Sequence, residues 1–304
     1  MSLLTVGTVA FDDIKTPYGH AEMAIGGAAT YISLAASYFC KPVNVVSVIG
    51  HDFPEETLQE MRSRGVNTDG IKVIPDQKSF FWAGEYSDNL NARETLATEL
   101  NVLADFDPVL PQAYRTSEYI MLGNLTPAVQ SKVLDQAIEP NFVAMDTMNF
   151  WMDTAWDSLL EVIPRVDVLI INDEEARQLS GEYALAKAAQ KILDMGLTYL
   201  IIKKGEHGAL LFHEKDDVFF APALPLSVVK DPTGAGDTFA GGFMGYMAKT
   251  EDLSFENMKR AVIYGSAMAS FCVEEFSIEQ LLRLDDEKIN ARIQQFTQLV
   301  HFEL

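Results

Sequence analysis

The stretch DPTGAGDTFAGGF at residues 231–243 sets the carboxylate of Asp237 among residues with almost no side chain. Gly234, Ala235 and Gly236 leave the backbone N–H groups of the turn bare, and residues 238–248 read as a helix of small and apolar residues. A helix start presents N–H donors without partners and a partial positive charge, which suits a phosphate. Glycine lets such a backbone come close to a ligand. An acid in the first turn can equally serve as a cap. The elements around the turn have to separate a phosphate site from a capped helix.

Two familiar phosphate loops do not fit. A P-loop needs GxxxxGK[ST], which is missing here, and GAGDTF lacks the third glycine of the dinucleotide fingerprint GxGxxG. Strand-like runs alternate with helical ones along the chain. They include LLTVGTVA (3–10), VNVVSVIG (43–50), YIML (119–122), FVAMD (142–146), VLIIN (168–172) and YLIIKK (199–204). Helical segments such as 28–39 and 54–65 lie between them, and the stretch from about 254 to 300 reads as helices. Short apolar strands between helices predict a mostly parallel sheet covered on both faces, with ligands at the carboxyl ends of its strands. The glycine turn falls between a strand-like run and a helix, where a site belongs.

Residues 71–103 break the alternation with strand-like runs, turn residues and the aromatics Phe80, Phe81, Trp82 and Tyr86. The expected organisation is one α/β domain over 1–304. A small β-stranded lid is expected from about 11–24 and 71–103.

The net charge of −21 argues against nucleic acid or an anionic membrane as a general partner. No apolar run reaches the roughly 18 residues of a membrane span, and the opening MSLLTVGTVAFDD lacks the basic flank of a signal peptide. A cytoplasmic location is expected. Cys40 and Cys272 form neither a disulfide framework nor a CxxC site, and buried free thiols are expected.

The segment DPTGAGDTFAGGFM resembles the second signature of the PfkB (ribokinase-like) carbohydrate and nucleoside kinases. Further motifs in family order extend the resemblance over nearly the whole chain. They are GGAATYISLAAS (26–37), VIGHDF (48–53) with GVNTDGI (65–71), NDEE (172–175) and KKGEHGALL (203–211). The resemblance implies a ribokinase-like three-layer α/β/α fold.

It also implies roles. Asp237 would be the general base that accepts a proton from a substrate hydroxyl. The N–H groups of Gly234, Ala235, Gly236 and Asp237 would form an anion hole for the transferred phosphoryl group of ATP. Asn172 and Glu175 match NxxE, with Asn172 toward ATP phosphates and Glu175 acting on Mg²⁺ through water. The same residues read equally well as a helix cap with favourable first-turn acids. KKGEHG resembles the TxGxxG nucleotide loop through Gly205 and Gly208. Lys203 stands at the usual Thr, which puts in doubt which side chain of Lys203 and Lys204 touches ATP. His207 in the same turn reads as solvated. On the acceptor side Asp12 matches the family's sugar-binding Asp, with its neighbour Asp13 as an alternative, and Gly26 and Gly27 match its double glycine. Tyr31 stands where some sugar kinases carry Asn. Asn124 and Asn149 follow strands at the ligand edge, as substrate contacts or loop-stabilising amides. Arg93 could reach over the site from the lid or remain solvated.

The function implied is ATP-dependent phosphorylation of a primary hydroxyl on a small sugar or a nucleoside. The alternative is a non-catalytic sensor on the same fold, against which Asp237, Asn172 and Glu175 argue together. The aromatic lid residues could contact the substrate, pack in the lid's own core or line a homodimer interface. Activation by a monovalent cation, frequent among relatives, is not expected, because SFCVEEFS (270–277) differs from the glycine-containing turn used for it.

Overall fold

The computed structural model describes residues 1–90, 92–215 and 217–301. The first part of the chain runs β1 (Leu3–Val6), β2 (Ala10–Thr16), β3 (Gly19–Gly26), α1 (Ala28–Ala36), β4 (Val43–Gly50), α2 (Glu55–Ser63) and β5 (Val66–Ile74). Next come β6 (Phe81–Tyr86), β7 (Arg93–Glu99), β8 (Tyr119–Leu122), α3 (Pro127–Leu134), β9 (Phe142–Met145), α4 (Asn149–Thr154) and α5 (Trp156–Val162). Then follow β10 (Val168–Asn172), α6 (Asp173–Ser180), α7 (Leu185–Leu193), β11 (Tyr199–Lys203), β12 (Ala209–His213) and β13 (Val218–Ala221). The chain closes with α8 (Ala235–Thr250), α9 (Phe255–Cys272) and α10 (Asp286–Val300).

Among the described residues the strands form a nine-stranded sheet, ordered β13-β12-β11-β10-β9-β8-β1-β4-β5, and a four-stranded sheet, ordered β3-β2-β6-β7. The large sheet is parallel from β5 across to β11, and only β12 and β13 run antiparallel. Alternate side chains leave a strand on opposite faces. Leu3, Val168 and Ile170 accordingly pack toward α1, α8 and α9, whereas Leu4, Leu169 and Ile171 pack toward α3, α5, α6 and α7. This is the three-layer arrangement that continuously apolar strands predict.

The small residues of α8 have a packing reason. A Cβ on Gly241 would come within 2.3 Å of the Ile32 carbonyl oxygen in α1, and one on Gly242 within 2.8 Å of Met268 in α9. Three helices thus approach closely beneath the glycine turn.

The inserted region divides differently from the sequence expectation. Residues 71–74 pair with 47–50 of β4 as the end of the edge strand of the large sheet. The small sheet takes β6 and β7 from this region and joins them to β2 through a parallel pairing of β2 with β6. Cys40 and Cys272 are both buried and free. Among the described residues no helix is long and apolar enough to cross a membrane.

Candidate active site

The turn before α8 is shaped by Asp231, which is 1% exposed. Its Oδ1 accepts from the Thr233 N–H at 2.8 Å and its Oδ2 from the Ser277 N–H at 3.3 Å. Gly234 then takes φ +74°, a left-handed conformation, and a Cβ there would lie 2.4 Å from the Tyr31 ring. Only glycine meets both conditions. Among the described residues the N–H groups of Gly234, Gly236 and Asp237 donate no hydrogen bond, whereas the Ala235 N–H donates to the Pro232 carbonyl at 3.2 Å. Three of the four expected anion-hole donors are open. The fourth, Ala235, closes the turn that presents them.

Asp237 is half-buried in the first turn of α8. Burial first, and the nearby Asp146 second, push its pKa up to about 7, against the opposing pull of Lys203 and Arg93. A carboxyl group so tuned can accept a proton near neutral pH.

Three adjacent strands, β9, β10 and β11, deliver polar residues at their carboxyl ends. Asn172 and Glu175 form a reciprocal cap. The Asn172 Oδ1 accepts from the Glu175 N–H at 2.8 Å, and the Glu175 Oε2 accepts from the Asn172 N–H at 2.7 Å. The cap thus uses one Glu175 oxygen. Glu175 is buried, and burial, with Asp146 adding, raises its pKa to about 7. Lys203 stands beside Asn172 in the β10–β11 register. Its ammonium lies 3.5 Å from the Asp146 Oδ2 and 2.9 Å from where a Cβ on Gly236 would be. Burial pulls the Lys203 pKa down, but Asp146, Glu175 and Asp237 outweigh it and hold the ammonium charged.

The sequence reading gives Asp146 no role, although it carries the same signal as NDEE, an acid closing an apolar strand. It is buried, with Oδ1 accepting from the Thr147 N–H at 2.8 Å. Among the described residues no group of three or more His, Cys, Asp or Glu side chains could hold a metal by itself. A Mg²⁺ ion here would take most of its ligands from phosphate and water, which is its habit. The open oxygen of Glu175 fits that use.

Lys204, Gly205 and Gly208 form the β11–β12 turn, where the Lys204 N–H donates to the Gly208 carbonyl at 2.7 Å. His207 is exposed there, as its position in a turn predicts.

On the other side of Asp237, Asp12 is buried and points toward Asp231 and Asp237. Burial, then those two acids, raise its pKa to about 7, while the Gly27 N–H hydrogen-bonds it. A Cβ on Gly26 would overlap the Asp12 carboxylate, at 1.9 Å from Oδ2, so the first glycine of the pair makes room for the acid. Asp13 leaves the other face of β2 and pairs with His20 at 2.6 Å. Tyr31 is fully buried, with a hydroxyl that has no partner among the described residues.

The small sheet reaches the turn directly. The Thr233 hydroxyl donates to the Tyr86 hydroxyl at 3.0 Å. Arg93, opposite Tyr86 in the register, is exposed and lies 5.1 Å over the Trp82 ring, and its charge acts on Asp12, Glu175 and Asp237. Asn124 is held by its neighbours, its Oδ1 accepting from the Trp151 indole at 2.8 Å and its Nδ2 donating to the Met148 sulfur at 3.1 Å. Asn149 donates to Gln178. Both amides are thus bonded to other side chains of the chain.

Open amides at a helix start, a tuned acid and a large parallel sheet with strand ends converging on both define a phosphotransferase acting on a hydroxyl group. Residues 3–281 match the pfkB family of carbohydrate kinases, and the chain belongs to that family. It is 28% identical to a cytidine kinase of Thermococcus kodakarensis over 250 residues, covering 80% of this chain and 87% of that one. The nucleoside kinase of Methanocaldococcus jannaschii has a similar structure, with a TM-score of 0.77 at 19% identity, over 97% of this chain and 98% of that one. The aminoimidazole riboside kinase of Salmonella enterica, solved with aminoimidazole riboside and an ATP analog, gives a TM-score of 0.75 at 19% identity, over 96% and 100%. The last two likenesses bear on the fold.

Proposed function

We propose that this chain is an ATP-dependent kinase that phosphorylates a primary hydroxyl of a nucleoside or a small sugar. The observation that carries the reading is Asp237 in the first turn of α8, beside three open N–H groups and with its pKa lifted to about 7. Asp237 accepts the proton of the acceptor hydroxyl as its oxygen attacks the terminal phosphorus of ATP. The amides of Gly234, Gly236 and Asp237 receive the charge on the phosphoryl oxygens. Asn172, Lys204, Gly205 and Gly208 form the nucleotide side. Glu175 would hold Mg²⁺ through water, and the ion would supply further neutralisation of the phosphates.

Asp12, Gly26 and Gly27 form the acceptor side. The likeness to a cytidine kinase favours a nucleoside. Residues 1–304 act as one kinase domain in which the small sheet is a lid, with Arg93 over the acids, that excludes water on closing. Leu96 and Leu100, exposed in and beside that sheet, support pairing of two lids in a homodimer.

The test is ADP release from Mg·ATP across a panel of nucleosides and sugars, with Asp237→Asn as control. The proposal expects one acceptor class to stimulate release in the wild type alone. Release that ignores every acceptor, or that Asp237→Asn retains, would sink it.

A further inference from the structure

Lys203 sits in an unusual place for a residue of a nucleotide-side loop. Its side chain turns back from the β11–β12 turn into the protein, is only 17% exposed, and brings its ammonium over the backbone of Gly236. Gly236 carries one of the open N–H groups of the cradle. A buried ammonium is costly unless it is paired, and here Asp146, Glu175 and Asp237 all act on it, with Arg93 as a second, exposed cation acting on Glu175 and Asp237. Asp146, from the end of β9, is its ion-pair partner at 3.5 Å. An ammonium has three N–H donors, so this contact leaves donors for a ligand at Gly236.

We propose that the Lys203 ammonium is a catalytic group that contacts the transferring phosphoryl group, and that Asp146 is the positioning residue that holds it over Gly236. The inference rests on the kinase reading and deepens it. As the bond from the acceptor oxygen to phosphorus forms, the bond from that phosphorus to the bridging oxygen of ATP breaks. Its electron pair leaves on ADP, the acceptor proton passes to Asp237, and Lys203 keeps its protons throughout. A fixed cation in a water-poor site counters the charge spread over the phosphoryl oxygens without having to reorganise.

The test uses the acceptor identified by ADP release. Lys203→Met should lower kcat by about 10²–10³, the range for losing one preorganised donor, with KM for acceptor and ATP nearly unchanged. Lys203→Arg should regain part of the rate. In calorimetry, Lys203→Met should bind ADP like the wild type but lose the extra affinity that aluminium fluoride adds as a mimic of the transferring group. Asp146→Asn should lower kcat without raising KM, and should cost nothing further in the Lys203→Met background.

Lys203→Met turning over within twofold of the wild type overturns the proposal, as does a defect confined to KM for ATP. Multiplicative losses in the double variant overturn the role of Asp146. If Lys203→Met alone fails to fold, the double variant, which removes both charges of the pair, carries the same comparison. A wild type without acceptor-dependent release overturns the kinase reading and this inference with it. An active wild type matched by Lys203→Met overturns the inference alone.

Discussion

The Thr233 hydroxyl donates to the Tyr86 hydroxyl at 3.0 Å across 147 residues of sequence, and so ties the small sheet to the turn that presents the open amides. Removing the phenol oxygen leaves Thr233 without that partner, a loss of about 1 kcal/mol or roughly fivefold in an equilibrium. Tyr86→Phe should therefore raise KM for the acceptor several-fold while lowering the thermal midpoint by only about 2–4 °C. Steady-state kinetics beside a melting curve checks this, and an unchanged KM would detach the small sheet from substrate capture.

Asp237→Asn should retain ATP binding and reduce turnover by about 10²–10⁴, the usual contribution of a positioned base. Calorimetric titration with ATP and an ADP-release assay on the same preparation separate the two effects.

The pH dependence follows from the same residue. The Asp237 carboxylate forms as pH rises through about 7, so the rate should climb across that range and fall below it. Asp12 and Glu175 titrate in the same window, so the limb reports the group of acids together. Stability moves in the opposite sense. Between the unfolded carboxyl value of 3.8 and about 7 the folded chain holds a proton that the unfolded chain has released, so stability falls as pH rises. Asp237→Asn should therefore melt higher than the wild type at pH 8, with the difference vanishing near pH 4. Equal midpoints at both pH values would contradict the raised pKa.

The proposed Mg²⁺ role of Glu175 can be separated from the cap it forms. Glu175→Gln keeps an oxygen for the Asn172 N–H and so keeps the cap, but it removes the charge. Its Mg²⁺ midpoint should rise by about tenfold, the lower end of what outer-sphere groups contribute, with no loss of melting temperature. A magnesium titration that overlays the wild type would assign Glu175 to capping alone.

Monovalent cations should make little difference. The segment after α9 is joined directly to the turn by the Lys230 N–H donating to the Val273 carbonyl at 2.8 Å, and by the Lys230–Glu275 ion pair at 2.7 Å. Rates in K⁺ and Na⁺ at equal ionic strength are expected to agree within about twofold, since the bridge is already built from protein groups. A strong preference for K⁺ would show that the bridge is incomplete.

What the sequence made legible is what local pattern controls. Apolar runs marked the strands 43–50, 119–122 and 168–172 at their observed limits. The spacing of Asn172 and Glu175 marked a helix start that the reciprocal cap realises. Pattern could not assign residues 71–74, because an edge strand with alternating burial reads much like the insertion that follows it. The choice between Asp12 and Asp13 needed the pleat of β2, which turns neighbouring side chains to opposite faces. Asp146 received no role, and Tyr86 only the shared alternatives of the lid aromatics, for a different reason. Each gains its meaning from a partner distant in the chain, Lys203 or Thr233, and no local period encodes such a meeting.

The seating of Gly234 against Tyr31 has a consequence for anyone redesigning this molecule. The ring belongs to α1, which the pair Gly26 and Gly27 opens, while the turn it supports carries the open amides. Alterations to α1 that aim only at acceptor preference will travel through that aromatic plate into the grip on phosphate. Under the proposed roles selectivity and rate are geared together, and useful variants will have to adjust both ends of the gear at once.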